Sequence, residues 1–176
     1  MKNLFLILLL ISLSASLNRS YAQTINFNTL LELRLKKILI VQNYLIGKGW
    51  KLTDINKNKP SETYKFTKEN SDRNKEEFFI FDDYKGSVTK SGVHYTFLKE
   101  GYYRHLLLQC KNANFRILKP IKNSDEENNG FVVQYTFKGK GVVVEFYTIY
   151  LGRNKDIITY NISIMDEMFY PQYKNS

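Results

Sequence analysis

From Leu31 the apolar positions recur at helical spacing. Leu31, Leu35, Ile38, Val41 and Leu45 form one stripe, and Leu39 and Ile46 widen it. Glu32, Lys36, Lys37 and Asn43 supply the polar side. Thr29 and Glu32 have the Thr-x-x-Glu spacing of a capping box. Gly47 and Gly49 stop the helix. The period then falls to two: Trp50, Leu52 and Ile55 alternate with Lys51 and Asp54, as in a half-buried strand.

Further strands are predicted at Tyr64–Phe66, Glu77–Phe81 and Val93–Leu98. The polar stretches Lys57–Ser61, Glu69–Lys75 and Asp82–Gly92 lie around them. A second helix is expected over Tyr102–Ala113, then a strand over Phe115–Ile121 and an acidic loop over Lys122–Gly130. Phe131–Phe137 and Val142–Tyr150 flank Lys138-Gly139-Lys140-Gly141, a strong hairpin signal. Ile157–Ile164 reads as the last strand.

The same unit therefore occurs twice. Trp50 and Phe115 each open a strand after a helix, 65 residues apart (115 − 50). Val41 and Leu106, Leu45 and Cys110, Leu52 and Ile117, Tyr95 and Tyr160, and Phe97 and Ile162 keep that offset. One helix cannot cover a four-stranded face, so a lone unit would be marginal. The expected fold is α+β: two tandem helix-plus-antiparallel-meander repeats forming one sheet, with both helices on one face. Repeat one spans about 28–99 and repeat two about 100–166, with a short tail at 167–176. In architecture this plan resembles the tandem helix-plus-sheet arrangement of secreted β-lactamase-inhibitor proteins. No motif is shared, so the likeness implies a fold and no activity.

The first 22 residues stand apart. Lys2 gives a basic start, Leu4–Leu13 is a ten-residue apolar run, and Ser20-Tyr21-Ala22 is small at its ends. That is the order of a cleaved secretory signal peptide. The run is short of the roughly 20 residues that a membrane helix needs. Residues 23–176 are then expected as one exported domain, periplasmic or secreted, with no stable membrane span after cleavage. The lone cysteine, Cys110, falls on the inward face of the second helix. It permits no internal disulfide and reads as a small core residue.

The formal net charge is +9, and Lys2 and Arg19 leave with the signal peptide. The positive charges are dispersed, beside acidic clusters such as Asp82-Asp83 and Asp125-Glu126-Glu127. This balance suits an acidic protein or an anionic envelope polymer as partner. Export argues against nucleic acid. The 13 tyrosines and 12 phenylalanines fall mostly in alternating stretches, which marks them as strand core.

Catalytic chemistry finds little support. His94 and His105 are the only histidines, one fewer than the usual protein ligand set of a catalytic zinc site, so no metal or other cofactor is expected. No Gly-x-Ser-x-Gly elbow occurs. Gly139 and Gly141 belong to a hairpin, not to a phosphate loop. Asp82-Asp83 and Asp166-Glu167 lie at element ends and read as solvated turns. The sequon Asn161-Ile162-Ser163 falls inside a strand.

The sequence thus points to a non-enzymatic exported binding protein of inhibitor, immunity or envelope-interaction type. Tyr84, Lys85, Arg153 and Lys155 are the expected contacts at the strand tips, with Tyr64, Lys65 and Tyr135 on an exposed sheet face. No catalytic residue is assigned. Two alternatives stand beside this reading. A secreted hydrolase with a dispersed site would need folding to unite His94, His105 and a carboxylate. A small-ligand module would need a pocket between helices and sheet. N-terminal sequencing of the exported protein should begin at Gln23; a mature chain that keeps Leu4–Leu13 would refute cleavage.

Overall fold

The computed structural model describes residues 25–57, 61–69, 76–84, 91–125, 130–151 and 157–170. The signal-peptide segment, Lys85, Arg153, Lys155 and residues 171–176 of the tail lie outside them.

Among the described residues, three α-helices and one antiparallel sheet make up the fold. The helices are α1 (Phe27–Arg34), α2 (Ile38–Gly47) and α3 (Glu100–Asn112). The strands are β1 (Lys51–Asn56), β2 (Ser61–Glu69), β3 (Glu76–Tyr84), β4 (Ser91–Phe97), β5 (Arg116–Asp125), β6 (Gly130–Gly139), β7 (Val142–Leu151) and β8 (Ile157–Asp166). A 3-10 turn follows at Glu167–Phe169. The eight strands form one sheet in the order β1-β2-β3-β4-β8-β7-β6-β5. The chain therefore builds from one edge to the middle, crosses through α3 to the other edge, and builds inward again.

Alternation decides which face is buried. Tyr64, Phe81, Val93, Ile164, Val144 and Phe137 run side by side across six strands. Phe66, Phe79, Tyr95, Ile162, Phe146 and Tyr135 form the adjacent row. Nearly all of these are buried, and they join Phe27, Leu30, Leu33, Val41, Leu45, Trp50, Tyr102, Tyr103 and Leu106 in one core cluster. Trp50 stands edge-on to Phe79 and Tyr95, and Tyr102 of α3 packs on Tyr95 and Phe97. On the other half of the sheet Tyr103 meets Phe146 and Tyr160.

The first helix differs from the expectation. The stripe from Leu31 to Ile46 is broken between Arg34 and Ile38, where Lys37 is extended (φ −66°, ψ 148°). The break has a geometric cause. α1 packs on the central strands β4 and β8 and on α3, whereas α2 packs on the edge strand β1. A single straight helix could not reach both. Leu35, Leu39 and Ile46, expected in the stripe, are exposed as a result. The capping residue is also different: the Asn26 side chain accepts from Thr29 N at 2.8 Å, so Thr29 is capped and does not cap.

Both longer helices end on a left-handed residue. After α2, Gly49 has φ +84°, Gly49 N donates to Ile46 O, and Trp50 N donates to Leu45 O, which is a Schellman closure. After α3, Asn114 takes the left-handed position with φ +64° and donates to Lys111 O. The aromatic residue that follows is thereby aimed inward: Trp50 and Phe115 are 3% and 5% exposed.

Four long-range contacts hold α1 and the residues that lead into it. Phe27 N donates to Gln109 Oε1 of α3 at 2.9 Å. The Tyr102 hydroxyl donates to Ile25 O. Ser91 Oγ donates to Arg34 O, while the buried Arg34 guanidinium lies 3.9 Å from Asp166. Burial pulls the Arg34 pKa down, and Asp166 partly restores it. Asp166 Oδ1 also caps Met168 N, and Glu167 pairs with Lys138 at the solvent-exposed end of β8.

Truncating Trp50 or Phe115 to alanine should cost about 3–5 kcal/mol, because each removes a large ring from a filled core. Urea unfolding measures this, with the exposed Leu108→Ala as a control expected within about 0.5 kcal/mol of wild type.

Candidate functional site

The strand alternation that buries one face leaves a second, polar face. The strand pairings align Lys65, Ile80, His94, Ser163, Glu145 and Thr136 in one row across six strands. Thr67, Phe78, Thr96, Asn161 and Tyr147 form the next row. This face gathers several polar side chains that are themselves buried. Thr136, Asn161 and Ser163 are at most 4% exposed and Glu145 is 7% exposed.

The centre of the face is a histidine–carboxylate pair. His94 Nε2 lies 3.0 Å from Asp82 Oδ2, and the Thr63 hydroxyl donates to Asp82 Oδ1 at 2.6 Å. At that distance Nε2–H donates to the carboxylate. Burial by itself would raise the Asp82 pKa, but the hydrogen bond and charge of His94 and the Thr63 hydroxyl outweigh it and hold it below its ordinary value. Gly92, opposite Asp82, puts no side chain over the pair; a Cβ there would meet Asp82 Oδ2 at 3.6 Å and His94 Nε2 at 3.7 Å.

Beside this pair the Thr96 hydroxyl and Asn161 Oδ1 are 2.6 Å apart, and Asn161 Nδ2 donates to Thr159 O at 3.3 Å. Asn161 of the sequon is thus buried and occupied. Lys65 Nζ sits 4.5 Å from the centre of the Phe78 ring, a cation held against an aromatic face. Ser163 Oγ and Thr136 Oγ1 are buried with no hydrogen-bond partner among the described residues. A hydrolase needs its base to hold the nucleophile's proton. Ser163 lies beside His94, but that hydrogen bond is not formed.

The expected site residues are distributed as follows. Tyr64 and Tyr135 lie on the core side of β2 and β6, away from Lys65. Tyr64 is buried, and Tyr135 packs against the core. The Tyr64 hydroxyl donates to Glu62 at 2.6 Å, and this bond, with burial and the charges of Glu62 and Asp83, pushes its pKa up to about 12. Lys65 alone of the three is on the polar face. Tyr84 ends β3, half-buried opposite Ser61. Lys85, Arg153 and Lys155 fall outside the described residues.

The two histidines are not brought together. His105 is exposed on α3, 2.9 Å from Gln109 Nε2, while His94 is on the sheet with Asp82. Among the described residues no group of three His, Cys, Asp or Glu side chains is placed to hold a metal ion. Cys110 is fully buried, and burial pushes its thiol up to about 12, so it is held as an unreactive thiol. No described helix is long and apolar enough to cross a membrane.

The sequence pattern misplaced Asp82. It read as the start of a polar tip because three polar or charged-flanked positions follow Phe81. The strand instead runs on to Tyr84, and Asp82 faces His94 from inside it. Only the β3–β4 register, with Asp82 opposite Gly92 and Ile80 opposite His94, could have disclosed the pair.

A carboxylate held below its ordinary pKa contributes stability above the unfolded value, near 3.9, that is lost as pH falls through the folded one. Wild type should therefore lose stability faster than Asp82→Asn as pH drops from about 5 to 2. Urea midpoints across that range check it; parallel curves would show that Asp82 gains nothing from its partners.

No protein-family model matches the chain, and neither the curated proteins nor the solved structures compared with it give a match.

Proposed function

We propose that this is an exported, non-enzymatic binding protein whose contact surface is the polar face of the sheet. One observation carries the reading. A single core cluster takes the apolar face and the inward residues of all three helices, while the opposite face carries polar and aromatic side chains, half-buried on β2, β3 and β4 and at Tyr147, and buried at Thr136, Glu145, Asn161 and Ser163. A broad face of fixed strands, carrying Lys65, Phe78, Ile80, His94 and Tyr147, suits a macromolecular partner better than a small substrate. The basic balance of the chain favours an acidic protein or an anionic envelope polymer.

Duplication of a helix-plus-meander unit supports the same reading, since it supplies a scaffold without supplying a reaction. The edge strands each carry a ladder irregularity, between Leu52 and Asp54 in β1 and between Ile117 and Lys119 in β5. These sites keep the offset of Gly49 to Asn114 and of Trp50 to Phe115. The fourth strands depart from it. Phe79 faces Tyr95 where Val144 faces Ile164, which makes Ile164, not Tyr160, the counterpart of Tyr95. On that register a two-fold axis between β4 and β8 passes between His94 and Ser163, which are directly opposed. The His94–Asp82 pair then marks the middle of the proposed contact surface.

The test is capture of a partner from envelope and secreted fractions, followed by association rates against salt. Lys65→Glu with Ile80→Glu should slow association at least tenfold and flatten the salt response, because steering weakens beyond a screening length of about 8 Å. Retained binding in that variant, with loss on reversing Lys85, Arg153 and Lys155, would move the contact to the strand tips. Turnover of a substrate that depends on His94 would replace the reading with the hydrolase.

A further inference from the structure

The outer surface of α2 is apolar and exposed. Its ten residues, Ile38–Gly47, contain no charged side chain. Val41 and Leu45 are fully buried, which fixes the helix rotation and turns Leu39, Asn43, Ile46 and Ile40 outward. Leu39 is 65% exposed, and Ile40 and Ile46 are about half exposed, as is Leu35 at the end of α1. Four large aliphatic residues on one short segment are far more than the scattered apolar residues of an ordinary surface. Exposed lysines bracket them: Lys36 and Lys37 before the helix and Lys48 after it. Tyr44 is half-buried, with Lys48 Nζ 5.8 Å from its ring.

We infer that α2 lies in the headgroup region of an anionic lipid surface, with Leu35, Leu39, Ile40 and Ile46 in the acyl boundary and Lys36, Lys37 and Lys48 on the headgroups. The pattern fits this occupant on two counts. The outward face offers almost no hydrogen-bonding group, Asn43 apart, so its contacts are apolar. The charges stand only at the two ends of the helix, where chains lying in an interface place their cations, and all three are positive. The helix is about 15 Å long, so it lies in the surface and does not span it. The polar sheet face stays available, since this contact uses the helix side of the molecule.

The experiment is co-sedimentation of the mature chain with vesicles of phosphatidylcholine alone or mixed with phosphatidylglycerol. Wild type should pellet with the mixed vesicles and only weakly with phosphatidylcholine. Lys36→Glu, Lys37→Glu and Lys48→Glu together should erase the preference for phosphatidylglycerol, each lysine contributing roughly fivefold to partition. Leu39→Ser, Ile40→Ser and Ile46→Ser together should lower partition to both vesicles more than tenfold. An unchanged thermal midpoint in both variants shows that the fold persists. Equal partition of wild type to both vesicles, no partition, or variants that behave as wild type would overturn the inference. So would self-association that the serine variant abolishes without any lipid binding, which would make this face a protein interface.

Discussion

The ring of Tyr95 is the point on which the two longer helices converge. Trp50, which follows α2, meets it edge-on at 5.6 Å, and Tyr102 of α3 meets it at 5.9 Å. Phe79 and Phe97 flank it along and across the sheet. Its hydroxyl is too deep for water and donates instead to Glu77 at 2.9 Å. Burial pushes its pKa well up, so the phenol stays neutral. A buried tyrosine that satisfies its one polar group fixes direction as well as contact. The helix layer is located on the sheet by this residue and its neighbours, and the polar face is located by exclusion.

Local signals therefore carried much of the architecture. Two-residue alternation marked the strands, and the Lys-Gly-Lys-Gly run marked the β6–β7 turn. There Lys140 and Gly141 both take positive φ, as a tight hairpin with the sheet's twist requires. Trp50 and Phe115 were legible as inward residues because each follows a helix stop. The helix break at Lys37 was not legible, since no glycine or proline marks it. It arises from where α1 and α2 must pack, which the local pattern does not encode.

The candidate site was less legible, for a related reason. His94 and Asp82 are twelve residues apart on neighbouring strands, and their pairing depends on the β3–β4 register. A shift of one residue between β3 and β4 would put Asp82 and His94 on opposite faces of the sheet. Likewise Tyr64 and Tyr135 read as exposed because strand alternation gives parity and not direction. Which parity is inward follows from the helices, and the helices were placed only by the fold.

The irregular ladders of β1 and β5 bear on how the molecule survives in company. An open sheet ends in two rows of unpaired backbone groups, and such rows template further strands. Here each outermost strand is bulged, β5 carries Pro120, and β1 carries Lys51 and Asp54. A bulge twists the row out of register, a proline removes a donor, and a charge resists being sealed between chains. These margins oppose the addition of a further strand to the eight described, and so work against edge-to-edge aggregation of a chain rich in aromatic strands.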